Sequence, residues 1–254
     1  MKIAVAGGTG TVGHHAVEAA RERGHEVVVL TRSNGIDLVS GDGLDEALRG
    51  VDVVIDTSNL VTTSAKKATA FFTTVTRNLI AAEQRAGVRH HVSLSIVGID
   101  RAPYGYYAAK LAQEHAVETG GVPWTILRAM QFHEFAGQML DGLTIAGVHL
   151  APRVRTQPIA AREVGERLVE LAEGEPMGHA PEIAGPRREQ LEDMIRTLAH
   201  ATGVKGPVMA ISLPGKQYAA MRRGETLPGP DATIGRQTFD EWVAEQANTA
   251  ASAR

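Results

Sequence analysis

The stretch Ile3-Ala4-Val5-Ala6-Gly7-Gly8-Thr9-Gly10-Thr11-Val12-Gly13 decides how this chain is read. Four apolar residues run into glycines, the mark of a short buried strand. From residue 12 to 23 apolar residues recur at Val12, Ala16, Ala19 and Ala20, and Gly24 follows, so this segment predicts a helix with a glycine stop. Gly7, Gly10 and Gly13 stand three apart at the junction. One glycine permits the tight turn, a second lets the backbone approach a pyrophosphate, and a third lets helix and strand pack closely. The N–H groups and dipole of the helix N-terminus then face the anion. Gly7, Gly8, Thr9, Gly10, Thr11, Val12 and Gly13 are therefore expected to cradle a dinucleotide. The plainer alternative is a glycine-rich loop that only turns the chain. The strand–turn–helix context, with a second strand following, speaks against it.

Outward from this turn the first half alternates. Residues 26–30 are a β-branched strand, 36–39 a further short strand, 45–49 a brief helix and 51–56 a buried strand. A long helix is expected over 64–86, with Ala68, Phe72, Val75, Leu79 and Ala82 in three-four spacing and Gly87 as terminator. Then come a strand at 91–97, a helix at 106–118 and a strand at 124–127. Such alternation implies right-handed βαβ units and a Rossmann-type, doubly wound parallel sheet with helices on both faces. After Gln131 the pattern loosens. Helices are expected at 161–172 and 188–201, a late strand at 182–184, and a surface wrap over the Gly- and Pro-rich residues 203–230. Thr238-Phe239-Asp240-Glu241 fits a capping box that opens a last helix. The expected organisation is a nucleotide-binding core over 1–135 and a small, irregular C-terminal substrate lobe over 136–254, interwoven as a single overall domain.

The end of the second strand bears on the cofactor. An NAD-specific site places a carboxylate there for the ribose 2′-OH. Here the chain reads Leu30-Thr31-Arg32-Ser33, with no acid. Arg32 offers a cationic fork for a 2′-phosphate and Ser33 a hydroxyl, so NADP(H) is expected, with NAD(H) as the alternative. A solvated surface arginine is the plainer reading of Arg32. Asp42, expected at the end of the third strand, is assigned to the adenine side. Thr57 and Ser58, after the fourth strand, stand where a loop passes the cofactor.

Ser95 lies near the end of the fifth strand, which in an open α/β sheet points into the ligand crevice. Tyr106 and Lys110 are four apart and share a helix face. A lysine ammonium beside a phenol lowers the tyrosine pKa, which suits proton transfer to or from a carbonyl oxygen. Ser95 would hold that oxygen while hydride passes to or from a nicotinamide. Tyr and Lys at this spacing are also common as packing plus a surface charge. Tyr104 and Tyr107 are nearby, but only Tyr106 has the spacing to Lys110.

Composition sets outer bounds. The 254 residues are 43% hydrophobic but only 4% aromatic, so the core is expected to be built from Ala, Val, Leu and Ile. A net charge of -3 gives no pull toward nucleic acid or anionic membrane. The absence of cysteine excludes thiolate metal sites and a Cys nucleophile, and ten histidines without a metal-binding spacing call for no metal. No apolar run approaches the ~20 residues of a membrane helix. The expected setting is the cytoplasm, and the expected partner a small-molecule substrate, with self-association left open.

These residues resemble the short-chain dehydrogenase/reductase superfamily, and most of all its atypical, NmrA-like, NAD(P)H-binding branch. The resemblance is carried by Ala6 to Gly13, Gly50-Val51-Asp52-Val53-Val54-Ile55-Asp56 and Ser95-Ile96-Val97-Gly98-Ile99-Asp100. Tyr106-Tyr107-Ala108-Ala109-Lys110 with Glu114, Trp124-Thr125-Ile126-Leu127-Arg128, Gln131-Phe132 and Phe239-Asp240-Glu241-Trp242 add to it. It implies a cofactor laid across the strand ends, Tyr106 as proton donor, Lys110 as its partner and Ser95 as the carbonyl-binding hydroxyl. It also implies a substrate pocket closed after Gln131, and Gln131, Phe132 and His133 are taken as substrate contacts. The leading expectation is an NADP(H)-dependent oxidoreductase acting on a small carbonyl or quinone-like substrate. The alternative is a dinucleotide-sensing regulatory protein, because some members of the branch bind the dinucleotide without turning it over. A nucleotide-sugar epimerase or dehydratase ranks third, on the ground that such enzymes need a larger second lobe.

Overall fold

The structure is a computed structural model that describes residues 1–252. The first elements are β1 (Lys2–Ala6), α1 (Gly13–Glu22), β2 (Glu26–Leu30), α2 (Leu44–Ala47) and β3 (Val53–Asp56). They are followed by α3 (Ala65–Ala86), β4 (His90–Ile96), α4 (Tyr106–Glu118) and β5 (Trp124–Ala129). Next come α5 (Phe135–Gly142), β6 (Thr144–Ile145), β7 (Val148–Pro152), β8 (Arg155–Thr156) and α6 (Ala161–Glu173). The chain continues through β9 (Gly178–His179), β10 (Ile183–Ala184), β11 (Glu189–Gln190), α7 (Leu191–Thr202), β12 (Val208–Ile211), α8 (Lys216–Arg223), β13 (Thr233–Ile234) and α9 (Phe239–Ser252). It forms two compact units: Met1–Arg128 with Arg162–Pro181, and Ala129–Ala161 with the chain from Glu182 onward. The chain thus crosses between units three times. Residues 129–135 fall in the second unit and 162–181 return to the first.

In the first unit the strands lie in the order β2-β1-β3-β4-β5. β1 runs parallel to β2 and β3, β3 parallel to β4, and β9 joins β5. This is the mostly parallel, Rossmann-like sheet that the alternation of elements demands. The central strand β3 is buried along its whole length, while β2, at the edge, is mostly half-buried. The helix α3 buries Ala68, Phe72, Val75, Leu79 and Ala82, the stripe its spacing predicts. Ser64 caps its start by accepting from the Lys67 N–H, and Gly87 ends it in the left-handed conformation. Ala4, Leu30, Leu44, Leu48, Val54, Val75 and Leu79 share one core cluster. Each such fully buried Leu or Val contributes about 1.5–3 kcal/mol.

Residues 36–39 are not a strand, so β2 has no neighbour beyond it in this unit. The Asp37 carboxylate accepts from the N–H groups of Val39 and Ser40 at 2.7 and 3.2 Å, and Gly41 donates to the Asp37 carbonyl at 2.8 Å. These local bonds fold the segment into turns in place of a ladder. Ile36 is nevertheless buried in the cluster below.

In the second unit β10 pairs in parallel with β13 and with Ala129, and β12-β7-β6 form a small sheet. The expected wrap over 203–230 is therefore partly regular: it contains β12, parallel to β7, and α8. The run Val208-Met209-Ala210-Ile211 is too short to show a period, so only its pairing reveals it. The capping box before α9 is present. Thr238 N donates to Glu241 Oε2 at 2.8 Å, and Glu241 N donates to Thr238 Oγ1 at 3.3 Å. No helix among the described residues is long and apolar enough to cross a membrane.

Candidate active site

The glycine turn joins β1 to α1. Gly10 N donates to the Gly7 carbonyl at 2.9 Å, which closes it. Gly7 has φ +73, and a Cβ there would lie 2.6 Å from the Thr57 carbonyl oxygen. A Cβ on Gly13 would lie 2.1 Å from the Gly7 carbonyl oxygen and 2.7 Å from Thr57 Oγ1. Neither position has room for a side chain. A Cβ on Gly8 would meet Val29 Cγ1 at 2.8 Å, so Gly8 joins Gly7 and Gly13 as a close-packing position. Thr57 N and Oγ1 both donate to the Ala6 carbonyl, at 2.9 and 2.8 Å, and tie the ends of β1 and β3 together. Thr9 is exposed, Thr11 half-buried and Val12 buried. Val12 gives α1 no side-chain cap, and the first turn holds no acid. The helix end therefore presents its dipole to an anion without a competing carboxylate. The hydroxyls of Ser58 and Ser95 are buried without a hydrogen-bond partner, each at a cost of about 1–3 kcal/mol. A polar ligand along the strand ends would satisfy them. The chain fits a dinucleotide on these grounds.

Arg32 opens a short 3₁₀ turn directly after β2 and is exposed, with no acid in that turn. Ser33 Oγ pairs with Thr31 Oγ1 at 2.9 Å. Asp42 is exposed in the turn that replaces the expected third strand, and its carboxylate accepts from Ser40 Oγ at 2.7 Å.

Ser95 sits near the end of β4, 3% exposed. Tyr106 and Lys110 occupy the first turns of α4 and share a neighbour on α3. The Phe72 ring meets Tyr106 edge-on at 5.6 Å, and Lys110 Nζ lies 4.6 Å from its centroid. The two functional groups nonetheless take different partners. Tyr106 Oη donates to Asn59 Oδ1 at 2.5 Å. Lys110 Nζ donates to the Leu94 carbonyl at 2.8 Å and to Gln113 Oε1. Burial pushes the Tyr106 phenol up to about 12. Burial brings Lys110 down to about 8, with Asp56 and Glu114 opposing the drop. The lowering of Tyr106 expected from a neighbouring ammonium is thus absent. The long lysine stem carries its charge inward to a carbonyl and an amide, away from the phenol.

Several groups at this site give no sequence motif of their own. Asn59 holds the Tyr106 hydroxyl. Gln113 Nε2 donates to Asp56 Oδ2 at 2.9 Å, and Ser58 N donates to Asp56 Oδ1 at 2.8 Å. Arg128 makes two hydrogen bonds to Glu114, at 2.9 and 2.7 Å, and an ion pair with Asp100 at 3.3 Å. It thereby ties together three of the segments that carry the family resemblance. The one available signal for Gln113 is its place three residues after Lys110, on the same helix face.

The second unit holds the expected substrate contacts. Gln131 Oε1 accepts from Thr156 Oγ1 at 2.8 Å, and Phe132 forms a β-bridge with Ile159. Both are half-buried. His133 is fully buried against Phe239 and Trp242, at 5.6 and 5.9 Å between ring centroids, with Nε2 3.2 Å from the Gln237 carbonyl. It anchors α9. Back in the first unit, His14, His15 and Glu18 bring three ligand-type atoms within 4.8 Å of one another, a group the histidine spacings did not announce. His14 Nδ1 is engaged with the Gly10 carbonyl at 2.8 Å, and His15 Nδ1 pairs with Glu18 Oε2 at 3.4 Å.

Comparison with known proteins places this geometry. The NAD(P)H-binding family profile matches residues 7–175. The (4-alkanoyl-5-oxo-2,5-dihydrofuran-3-yl)methyl phosphate reductase of Streptomyces griseus is 29% identical over 218 residues, covering 77% of this chain and 73% of that protein. Among solved structures, MoeE5 in complex with UDP-glucose and NAD superposes with a TM-score of 0.76 at 18% identity, over 100% of both chains. The NADPH-dependent quinone oxidoreductase QOR2 of Escherichia coli, complexed with NADPH, has a TM-score of 0.70 at 19% identity, over 96% of this chain and 99% of that one. At these identities the two structures speak for the fold. By the family match and the glycine turn together, this chain belongs to the NAD(P)H-binding family.

Proposed function

We propose that the chain is an NADPH-dependent reductase acting on a small carbonyl or quinone-like substrate, with Tyr106 as proton donor. The observation that carries this reading is the state of Tyr106. Its hydroxyl donates to Asn59 Oδ1, so it stands in the protonated form that an acid requires, with the proton directed outward from the ring to an acceptor that a substrate oxygen could replace. When bound, a reduced nicotinamide supplies the hydride. Tyr106 then gives its proton to the substrate oxygen as that oxygen gains the electron pair of the former C=O bond. Ser95, whose buried hydroxyl has no partner in the protein, holds the same oxygen by a hydrogen bond. Lys110 enters the reacting set as a positive charge one helical turn along, its ammonium held by the Leu94 carbonyl and Gln113 and not by the phenol; solvent reprotonates the transient phenolate. Arg32, with no acid beside it, supports NADPH over NADH. Gln131 and Phe132 of the second unit are the proposed substrate contacts, and His133, buried against Phe239 and Trp242, fixes the backbone beside them. The names of the Streptomyces and Escherichia relatives support the class of reaction and substrate.

The test is Tyr106→Phe. NADPH binding should persist in a fluorescence titration while turnover falls by roughly 10²–10⁴, the range of general acid catalysis. Turnover that survives at the wild-type level removes Tyr106 from the mechanism.

One observation favours a second reading, a dinucleotide-sensing protein without turnover. Tyr106 is engaged by Asn59, and Lys110 by Leu94 and Gln113, so neither group points at the other. Partner capture that differs between NADP+ and NADPH would support it. Fast oxidoreductase activity of the purified chain would count against it.

A further inference from the structure

Lys110 and Asp56 stand at the two ends of a buried chain whose middle member is Gln113. Gln113 is 1% exposed, Asp56 0% and Lys110 5%. The Gln113 amide has one workable orientation. An ammonium has only donors and so takes the amide oxygen, while a carboxylate has only acceptors and so takes the amide nitrogen. The bonds follow that rule: Gln113 Nε2 donates to Asp56 Oδ2, and Gln113 Oε1 accepts from Lys110 Nζ. The second carboxylate oxygen is held by Ser58 N, and the ammonium is held again by the Leu94 carbonyl. The amide thus links α4 to β3, and the ammonium it holds is tied in turn to β4. A neutral group bridges two opposite charges without letting them touch.

We propose that Gln113 is the positioning residue of Lys110, fixing where the ammonium points and coupling it to the charge of Asp56. The proposal rests on the reading of Lys110 as part of the reacting set. Deep in the unit an ammonium is stable only with acceptors around it. The charged groups facing it are Asp56 from β3 and Glu114 from α4 itself. Glu114 is already bound twice by Arg128, so Asp56, reached through Gln113, is the carboxylate left to serve the lysine. Without Gln113 the ammonium would lose one acceptor and its link to Asp56, and would shed its proton at lower pH.

The experiment titrates Lys110 directly, in the full chain carrying ¹³Cε-lysine, by NMR. The resonance is assigned by its loss in Lys110→Met. Wild type should titrate near 8. Gln113→Met, which keeps the length and removes both hydrogen bonds, should titrate about one pH unit or more lower. Gln113→Glu, which restores an acceptor oxygen and adds a charge, should titrate at least as high as wild type. Should Gln113→Met fail to fold, Asp56→Asn tests the same coupling, since it keeps the shape and removes the charge; its Lys110 titration should also move down. An unmoved Lys110 titration in either folded variant overturns the proposal. Because ionisation and not turnover is read, this outcome is separate from that of Tyr106→Phe.

Discussion

Tyr106 donates its phenolic hydrogen to Asn59 Oδ1 at 2.5 Å, so the residue best placed to act as an acid is held by the loop that follows β3. The expectation of a lysine-lowered phenol gives way to one raised by burial to about 12. The same helix face carries both side chains, but a shared face does not decide a partner. Tyr106 is rigid and reaches Asn59, while Lys110 is flexible enough to turn inward to Leu94 and Gln113. A substrate oxygen that takes up the Tyr106 proton must displace Asn59 as its acceptor.

Arg32 is expected to read the 2′-phosphate. Arg32→Ala should weaken NADPH binding about tenfold or more, the size of a lost charge-assisted contact of roughly 1.5–3 kcal/mol. NADH binding should hardly change. Parallel fluorescence titrations with the two cofactors decide it, and an equal loss for both would remove the role assigned to Arg32.

Gly13→Ala should disable the turn. Its Cβ would sit 2.1 Å from a backbone oxygen, which has no flexible end to yield. Forced shifts of this kind cost about 1–3 kcal/mol, and here they also displace the N–H groups meant for the pyrophosphate. The variant should melt lower and bind NADPH too weakly to measure. Gly142→Ala, where a Cβ meets nothing within 4 Å, is the control and should behave as wild type.

His90 should make the fold acid-sensitive. Burial, helped by the neighbouring His91, lowers its pKa from 6.5 to about 4. The unfolded chain therefore takes up this proton near pH 6.5, before the folded chain does. The stability concerned is fully present above pH 6.5 and is lost as pH falls from there toward 4, by at most about 1.4 kcal/mol per pH unit. His91 works in the other sense. Burial opposes its charge, but the Glu83 charge, the Glu83 hydrogen bond at 2.8 Å and Asp56 together raise its pKa. Its contribution is full below pH 6.5 and lost as pH rises through the folded value. Urea unfolding of wild type and His90→Gln between pH 7 and 4 should show a flatter pH dependence in the variant; identical slopes would refute the assignment.

The elements of the first unit were legible because their causes are local. Gly7 to Gly13, the apolar stripe of α3 and the cap residues Ser64 and Gly87 each act within a few positions of themselves. The segment 36–39 misled for an equally local reason, since the Asp37 side chain competes with the ladder for the backbone N–H groups. The second unit was harder to read. Its strands β6, β8, β10, β11 and β13 are two residues long, too short for any period, and exist only through their pairing.

The sequence by itself determined the strand–turn–helix at the N-terminus, the dinucleotide it suits, the family, and the candidacy of Ser95, Tyr106 and Lys110. Glycine spacing and apolar periodicity express short-range sterics, and those are written in the order of residues. Only the tertiary structure decided what those side chains touch: Tyr106 with Asn59, His133 against Phe239 and Trp242, and Lys110 joined through Gln113 to Asp56. Gln113 and Asp56 lie 57 positions apart in the chain. A buried polar group takes whichever partner the fold brings within hydrogen-bond reach, and no local pattern records which partner that is.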